Sequence, residues 1–238
     1  MQQNALFRLL GIEFSPVSHT ERLISALGGF LAILLILVIS SRFVDGTDAA
    51  LIVASMGASA VLLFAAPHGA LGQPWNVLGG HLVSAVIGVS CALYIPGMAL
   101  AAATSVGLAI GAMHYLRCIH PPGGATALAA VVGGASIQAL GYQYILTPVL
   151  INVAVILTVA VLFNALFHWR RYPASLSGKA PLPALAGKQY GPIAHADLVY
   201  ALSQIDSFID VTEDDLLRIY KLATRRTTTG NDGQDSSG

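Results

Sequence analysis

The residues best suited to chemistry lie in one stretch, Arg117-Cys118-Ile119-His120-Pro121-Pro122-Gly123-Gly124-Ala125-Thr126. It sets a cation, an imidazole and a hydroxyl beside two prolines, which forbid a continuous helix, and two glycines, which admit a ligand close to the backbone. Arg117 is the sole formally charged residue between Ala49 and Trp169. Lone charges and interrupted helices are expensive in lipid and mark places where something is bound or moved. The chemistry such a set supports is the binding of a small anion. A helix that begins inside a membrane leaves its first N–H groups unpaired and carries a partial positive charge at that end. The stretch Ser55-Met56-Gly57-Ala58-Ser59 has a similar build of small residues and a hydroxyl. Gly57 and Ser59 on one side, and Gly123, Gly124 and Thr126 on the other, would then form two opposed helix starts around a monovalent anion. Ser55, Ala58 and Ala125 complete that lining. Arg117 either adds a steering field at the cytoplasmic mouth or snorkels to the interface. His120 donates to the anion, carries a coupled proton, or hydrogen-bonds a carbonyl freed by the helix break.

Around this centre stand residues suited to gating or coupling. His81, after Gly79-Gly80, either crosses the core to a facing backbone or lines the path. Asn76, with Asn152 and Asn164, suits hydrogen bonding between helices, and Asn76 also belongs to a loop, Gln73-Pro74-Trp75-Asn76, that reads as a lid or as an interface anchor. The histidines show no i, i+4 pairing and no nearby acid, so a metal site is not expected. No serine or cysteine has a recognisable base and orienter, so neither an enzyme nor a cofactor is expected. Cys91 and Cys118 fall in apolar segments and read as small hydrophobes.

The elements that must position these residues are membrane spans. The chain is 55% hydrophobic and 10% charged, whereas a soluble domain carries about 25% charged residues. Its net charge of zero offers nucleic acid no basic face. Crossing the hydrocarbon takes roughly 20 apolar residues. Runs of suitable character cover residues 23–41, 49–66, 76–95, 98–116, 123–140 and 144–169, giving an all-α integral membrane protein of about six spans. Four spans result instead if 57–66 and 123–134 only dip into the membrane. Arg8 and Arg22 precede the first run, and Arg170, Arg171, Lys179 and Lys188 follow the last. Positive-inside bias puts both termini in the cytoplasm, with an even number of spans. The expected organisation is a cytoplasmic segment over 1–22, a transmembrane domain over 23–169, a linker with two short helices over 170–226, and a disordered tail over 227–238. The two helices cannot bury a core of their own and need a partner or a second subunit, which with the small-residue faces points to a homodimer.

Gly57-Ala58-Ser59-Ala60-Val61-Leu62 is similar to Gly124-Ala125-Thr126-Ala127-Leu128-Ala129, 67 positions later. Three spans per copy is odd, so the second copy would be inverted, a common plan for transporters with interrupted helices. Residues 57–66 as helix span about 15 Å, half of a ~30 Å hydrocarbon layer.

These residues also carry a resemblance. His120-Pro121-Pro122 followed by Gly123-Gly124-Ala125-Thr126-Ala127-Leu128 is similar to the signature of the HPP family of integral membrane proteins. The stretches from Gly57 to Pro67 and from Gln73 to His81 resemble the family's other blocks, in the same order. Plastid and cyanobacterial members are assigned to nitrite transport, which the resemblance implies here. Residues 197–225 resemble the helices that lead into a CBS domain in longer members. The expected function is transport of a small monovalent anion, nitrite first, across a bacterial inner membrane. The alternative is a membrane-anchored sensor whose C-terminal helices couple to a cytoplasmic partner.

Overall fold

Each apolar run becomes helix, with bounds set by capping and by proline. The structure, a computed structural model, describes residues 17–42 and 46–176. The amino-terminal segment, the two helices expected within 170–226 and the tail 227–238 lie outside the described residues. Helix α1 (His19–Ser40) starts on Ser18, whose hydroxyl accepts the Glu21 N–H at 3.1 Å, and Glu21 sits in the first turn, where the helix dipole favours an acid. Helix α2 (Gly46–Ala65) ends just before Pro67. Helix α3 (Pro74–Tyr94) begins on a proline, whose missing N–H costs nothing in a first turn. Gln73, just before it, donates to the carbonyls of Pro67 (3.2 Å) and Gly69 (2.8 Å) and accepts the Ala174 N–H at 3.0 Å. Helix α4 (Met98–Tyr115) follows Gly97, which takes a φ of 85° that favours glycine.

The His120-Pro121-Pro122 stretch opens α5 (Pro121–Val132), and Gly133 and Gly134 separate it from α6 (Ala135–Leu140). A widened turn over Ile145–Leu150, kinked at Thr147, leads into α7 (Ile151–Ala165). Among the described residues there is no strand, and four helices are long and apolar enough to cross a membrane: His19–Ser40, Pro74–Tyr94, Met98–Tyr115 and Ile145–Ala165. The apolar stretches Leu51–Ala65 and Pro121–Val132 are shorter. Helix length alone thus accounts for four of the six expected spans. The fifth is cut to 12 residues, about 18 Å of helix, by its prolines and by the glycine pair.

Packing between helices runs through small residues, as expected where apolar burial alone does not drive association. Helices α3 and α5 approach most closely. A Cβ added at Gly80 would strike His120 Cβ at 2.5 Å, one at Gly88 the Ala127 carbonyl oxygen at 2.6 Å, and one at Gly123 the Gly80 carbonyl oxygen at 2.7 Å. Gly28 of α1 packs on Phe64 and Phe163, whose rings meet edge-on at 5.8 Å. Leu23, Leu27, Phe30 and Leu34 remain exposed on the outer face of α1, as lipid-facing residues do.

One buried charge cluster closes the bundle. Arg170, just past α7, is 1% exposed and pairs with Glu21, which is 5% exposed. Its guanidinium also donates to Ser25 Oγ (3.2 Å), Asn164 Oδ1 (3.1 Å) and the Phe64 carbonyl, while Trp169 Nε1 donates to the other Glu21 oxygen at 3.0 Å. Asn164 completes the clasp by donating to the Leu63 carbonyl at 3.3 Å. Burial pulls the Arg170 pKa below its ordinary value, and the Glu21 carboxylate opposes that shift. Because the start of α1 and the residues just after α7 meet here, the chain joins and leaves the bundle on one face. The sequence had offered Arg170 only as a topogenic cation.

Candidate functional site

Four polar side chains from three elements converge in the interior. Ser59 comes from the second half of α2, His81 from the third turn of α3, His120 from the N-cap of α5, and Thr126 from the second turn of α5. Ser59, His81 and His120 are 0% exposed and Thr126 is 1%. Ser59 Oγ lies 2.9 Å from His81 Nε2 and 2.9 Å from His120 Nε2. His81 Nδ1 lies 2.7 Å from Thr126 Oγ1, and His120 Nδ1 lies 2.8 Å from the Leu71 carbonyl oxygen. The two imidazoles meet edge-on, with ring centroids 4.9 Å apart.

The backbone makes this convergence local and cheap. The prolines at 121 and 122 end the preceding chain in an extended residue, His120 (φ −142°, ψ 101°), which turns the imidazole inward. Asn76 Nδ2 donates to the Ile119 carbonyl at 2.8 Å and so holds the residue before it. Gly79 and Gly80 leave room for Cys118 and His120 against α3. Tyr144, fully buried, donates to the Thr126 carbonyl at 3.1 Å.

The predicted lining divides sharply. Ser59, His81, His120 and Thr126 come together. Ser55 is buried beneath them: its hydroxyl donates to the Ile52 carbonyl at 2.8 Å, and its own carbonyl lies 3.3 Å from Ser59 Oγ. Gly123 is buried against Gly80 and Ser84. Ala58 and Ala125 are exposed on the outside of the bundle, and nothing would meet a Cβ at Gly57 or Gly124. Arg117 is exposed on the α4–α5 connection with a φ of 54°.

Two expectations are corrected by this geometry. Gly57 is not a helix start; it lies within the unbroken α2, because an interior glycine costs only about 1 kcal/mol and no proline accompanies it. The paired helix starts of an inverted repeat are therefore not present at 57 and 124. The start of α5 is real, yet it offers no row of free N–H groups. Pro121 and Pro122 have none, and the Gly123 N–H donates to the His120 carbonyl at 2.8 Å. A cradle of backbone donors is replaced by imidazole and hydroxyl groups.

A bundle of apolar helices enclosing a buried hydroxyl–imidazole chain defines a polytopic integral membrane protein, since lipid tolerates such groups only where protein satisfies them. The chain belongs to the HPP family, whose transmembrane region (HPP, transmembrane region) matches residues 15–173. Two transmembrane proteins of Dictyostelium discoideum are similar to it. One is 38% identical over 169 residues, covering 68% of this chain and 54% of its own length. The other is 34% identical over 151 residues, covering 62% of this chain and 53% of its own. The chain thus spans about half the length of the curated relatives it matches. No solved structure matches it.

Proposed function

We propose that the protein transports a small monovalent anion, nitrite first, through the helix bundle past the His81–His120 centre. The observation that carries this reading is the burial of two imidazoles and two hydroxyls, all 0–1% exposed, inside a membrane bundle. A scaffold or anchor has no use for such groups, whereas a permeation path needs polar partners where lipid offers none. The partial positive charge at the start of α5 lies at His120 and favours an anion there. Exposed Arg117, on the connection leading to it, adds a long-range attraction at the mouth.

We read α2 and the broken pair α5–α6 as passes as well, giving six in all. The shared face of Glu21 and Arg170 supports an even number. We read that face as cytoplasmic, a reading the cations at 8, 22, 170 and 171 support through the positive-inside bias, and the membrane as a bacterial inner one. A homodimer through the small-residue faces completes the proposal.

The test is uptake of nitrite into liposomes holding the purified full chain, compared with protein-free vesicles. Uptake above that background, reduced at least tenfold by His120→Ala or Thr126→Val in a folded variant, is the expected result. Equal flux with and without protein would remove the transport reading and leave the membrane-anchored sensor.

A further inference from the structure

The hydrogen bonds of the buried cluster admit one arrangement of protons when both imidazoles are neutral. The Leu71 carbonyl can only accept, so His120 carries its proton on Nδ1 and donates to it at 2.8 Å. His120 Nε2 must then accept, and its partner at 2.9 Å is the Ser59 hydroxyl. A hydroxyl has one proton, so Ser59 cannot also donate to His81. His81 therefore donates from Nε2 to Ser59 Oγ at 2.9 Å and accepts on Nδ1 from Thr126 Oγ1 at 2.7 Å. The result is a chain of fixed polarity, Thr126 to His81 to Ser59 to His120 to the Leu71 carbonyl. The two histidines hold opposite tautomers.

Each hydroxyl also has a second acceptor one helical turn back. Ser59 Oγ lies 3.3 Å from the Ser55 carbonyl oxygen, and Thr126 Oγ1 lies 3.4 Å from that of Pro122. A proton added at His120 Nε2 turns that atom into a donor to Ser59, and the serine proton swings to Ser55. A proton added at His81 Nδ1 turns it into a donor to Thr126, and the threonine proton swings to Pro122. Either addition is absorbed by rotating one hydroxyl, with no backbone movement. A second proton would put two adjacent cations in the apolar interior.

The geometry points to a proton-binding site formed by Ser59, His81, His120 and Thr126, which takes up a single proton shared between the two imidazoles and supplies the co-ion for the anion. Among the described residues, the groups that face the four carry no charge. Helix α2 presents Ser55, α3 presents Ser84 (whose hydroxyl reaches Met113 Sδ of α4 at 4.0 Å), and the chain before α7 presents Tyr144, already donating to the Thr126 carbonyl. Cys118 packs at Gly79. Among the described residues no carboxylate, lysine or arginine hydrogen-bonds to the four. The proton site stands on the hydrogen-bond geometry; its role as co-ion rests on the anion-transport reading above.

The site is tested by nitrogen NMR of histidine-labelled full-length protein in lipid, with His81→Gln assigning the signals, or backbone correlations in the unaltered chain if that variant fails to fold. The expected spectrum shows His81 protonated at Nε2 and His120 at Nδ1 near neutral pH. Acidification then adds one proton to the pair in a single shared step, which Ser59→Ala splits or abolishes. The same tautomer on both rings, two independent steps, or no uptake before unfolding overturns the site. Coupling is read separately, from nitrite uptake against external pH in liposomes after subtracting nitrous acid leakage through protein-free vesicles. One coupled proton predicts uptake rising ~tenfold per pH unit of acidification while the pair is mostly neutral. Protein-dependent uptake indifferent to pH removes the co-ion role and leaves the proton site standing. The expected tautomers with no nitrite uptake remove the anion reading instead.

Discussion

At Gly123 a single methyl group probes the packing that holds the two histidines together. Its Cβ would lie 2.7 Å from the Gly80 carbonyl oxygen and 2.9 Å from Ser84 Oγ, so Gly123→Ala forces α5 away from α3. Overpacking of this kind costs about 1–3 kcal/mol, and a lowered thermal midpoint in detergent is the expected readout. Gly124, one residue on, opens to empty space. Gly124→Ala should leave the midpoint unchanged or raise it by the helix propensity gained, up to about 1 kcal/mol. The same melting measurement on both variants checks the contrast, and equal loss at both positions would contradict the packing described. The adjacent glycines look alike in the sequence, and only the partner helix tells them apart. For the same reason Ser59, His81, His120 and Thr126 were legible as candidates for chemistry while their pairing with one another was not. Ser59 and His120 are 61 positions apart, and no local pattern records a contact at that separation.

Among the elements, the start of α5 was legible and its end at Val132 was not, while α2 was legible in extent but carries no break at Gly57. Two prolines stop a helix by removing donors and clashing with the preceding turn, so the break at His120 follows from residue type alone. A lone glycine carries no comparable penalty, and α2 runs through Gly57 without interruption. The likeness of the two Gly-Ala-hydroxyl-Ala strings therefore reflects shared packing needs. In both, the hydroxyl and the alanine after it face inward, and the alanine before it faces out. The closeness of α3 to α5 yields its own prediction. Gly88→Val places bulk where even a Cβ would sit 2.6 Å from the Ala127 carbonyl oxygen. That change should separate the helices, lower the thermal midpoint as a strained core substitution of about 1–3 kcal/mol would, and expose Cys118 to a thiol reagent. Cys118 is fully buried in the native chain, so its labelling rate reads the separation directly.

For the molecule as a whole, the Glu21–Arg170 clasp joins residues 149 positions apart and fixes the two ends of the bundle to one face. Removing one partner leaves the other charge buried and unpaired, a loss of about 3–5 kcal/mol. Glu21→Gln or Arg170→Met should each destabilise by that order in thermal or denaturant unfolding, and the double variant should recover part of the loss. Additive losses in the double variant would show that the two residues act independently. Composition made the membrane class plain, because 10% charged residues cannot cover a soluble surface. The clasp stayed hidden because both residues sit where ordinary topogenic charges do. The shortness of α5 has a last consequence, for biosynthesis. At 12 residues it falls well below the roughly 20 that an insertion machinery recognises as a span. Its own length does not carry it across a bilayer. On the six-pass reading, its place among the spans therefore depends on the glycine face of α3, an earlier segment of the same chain, against which Gly123 packs.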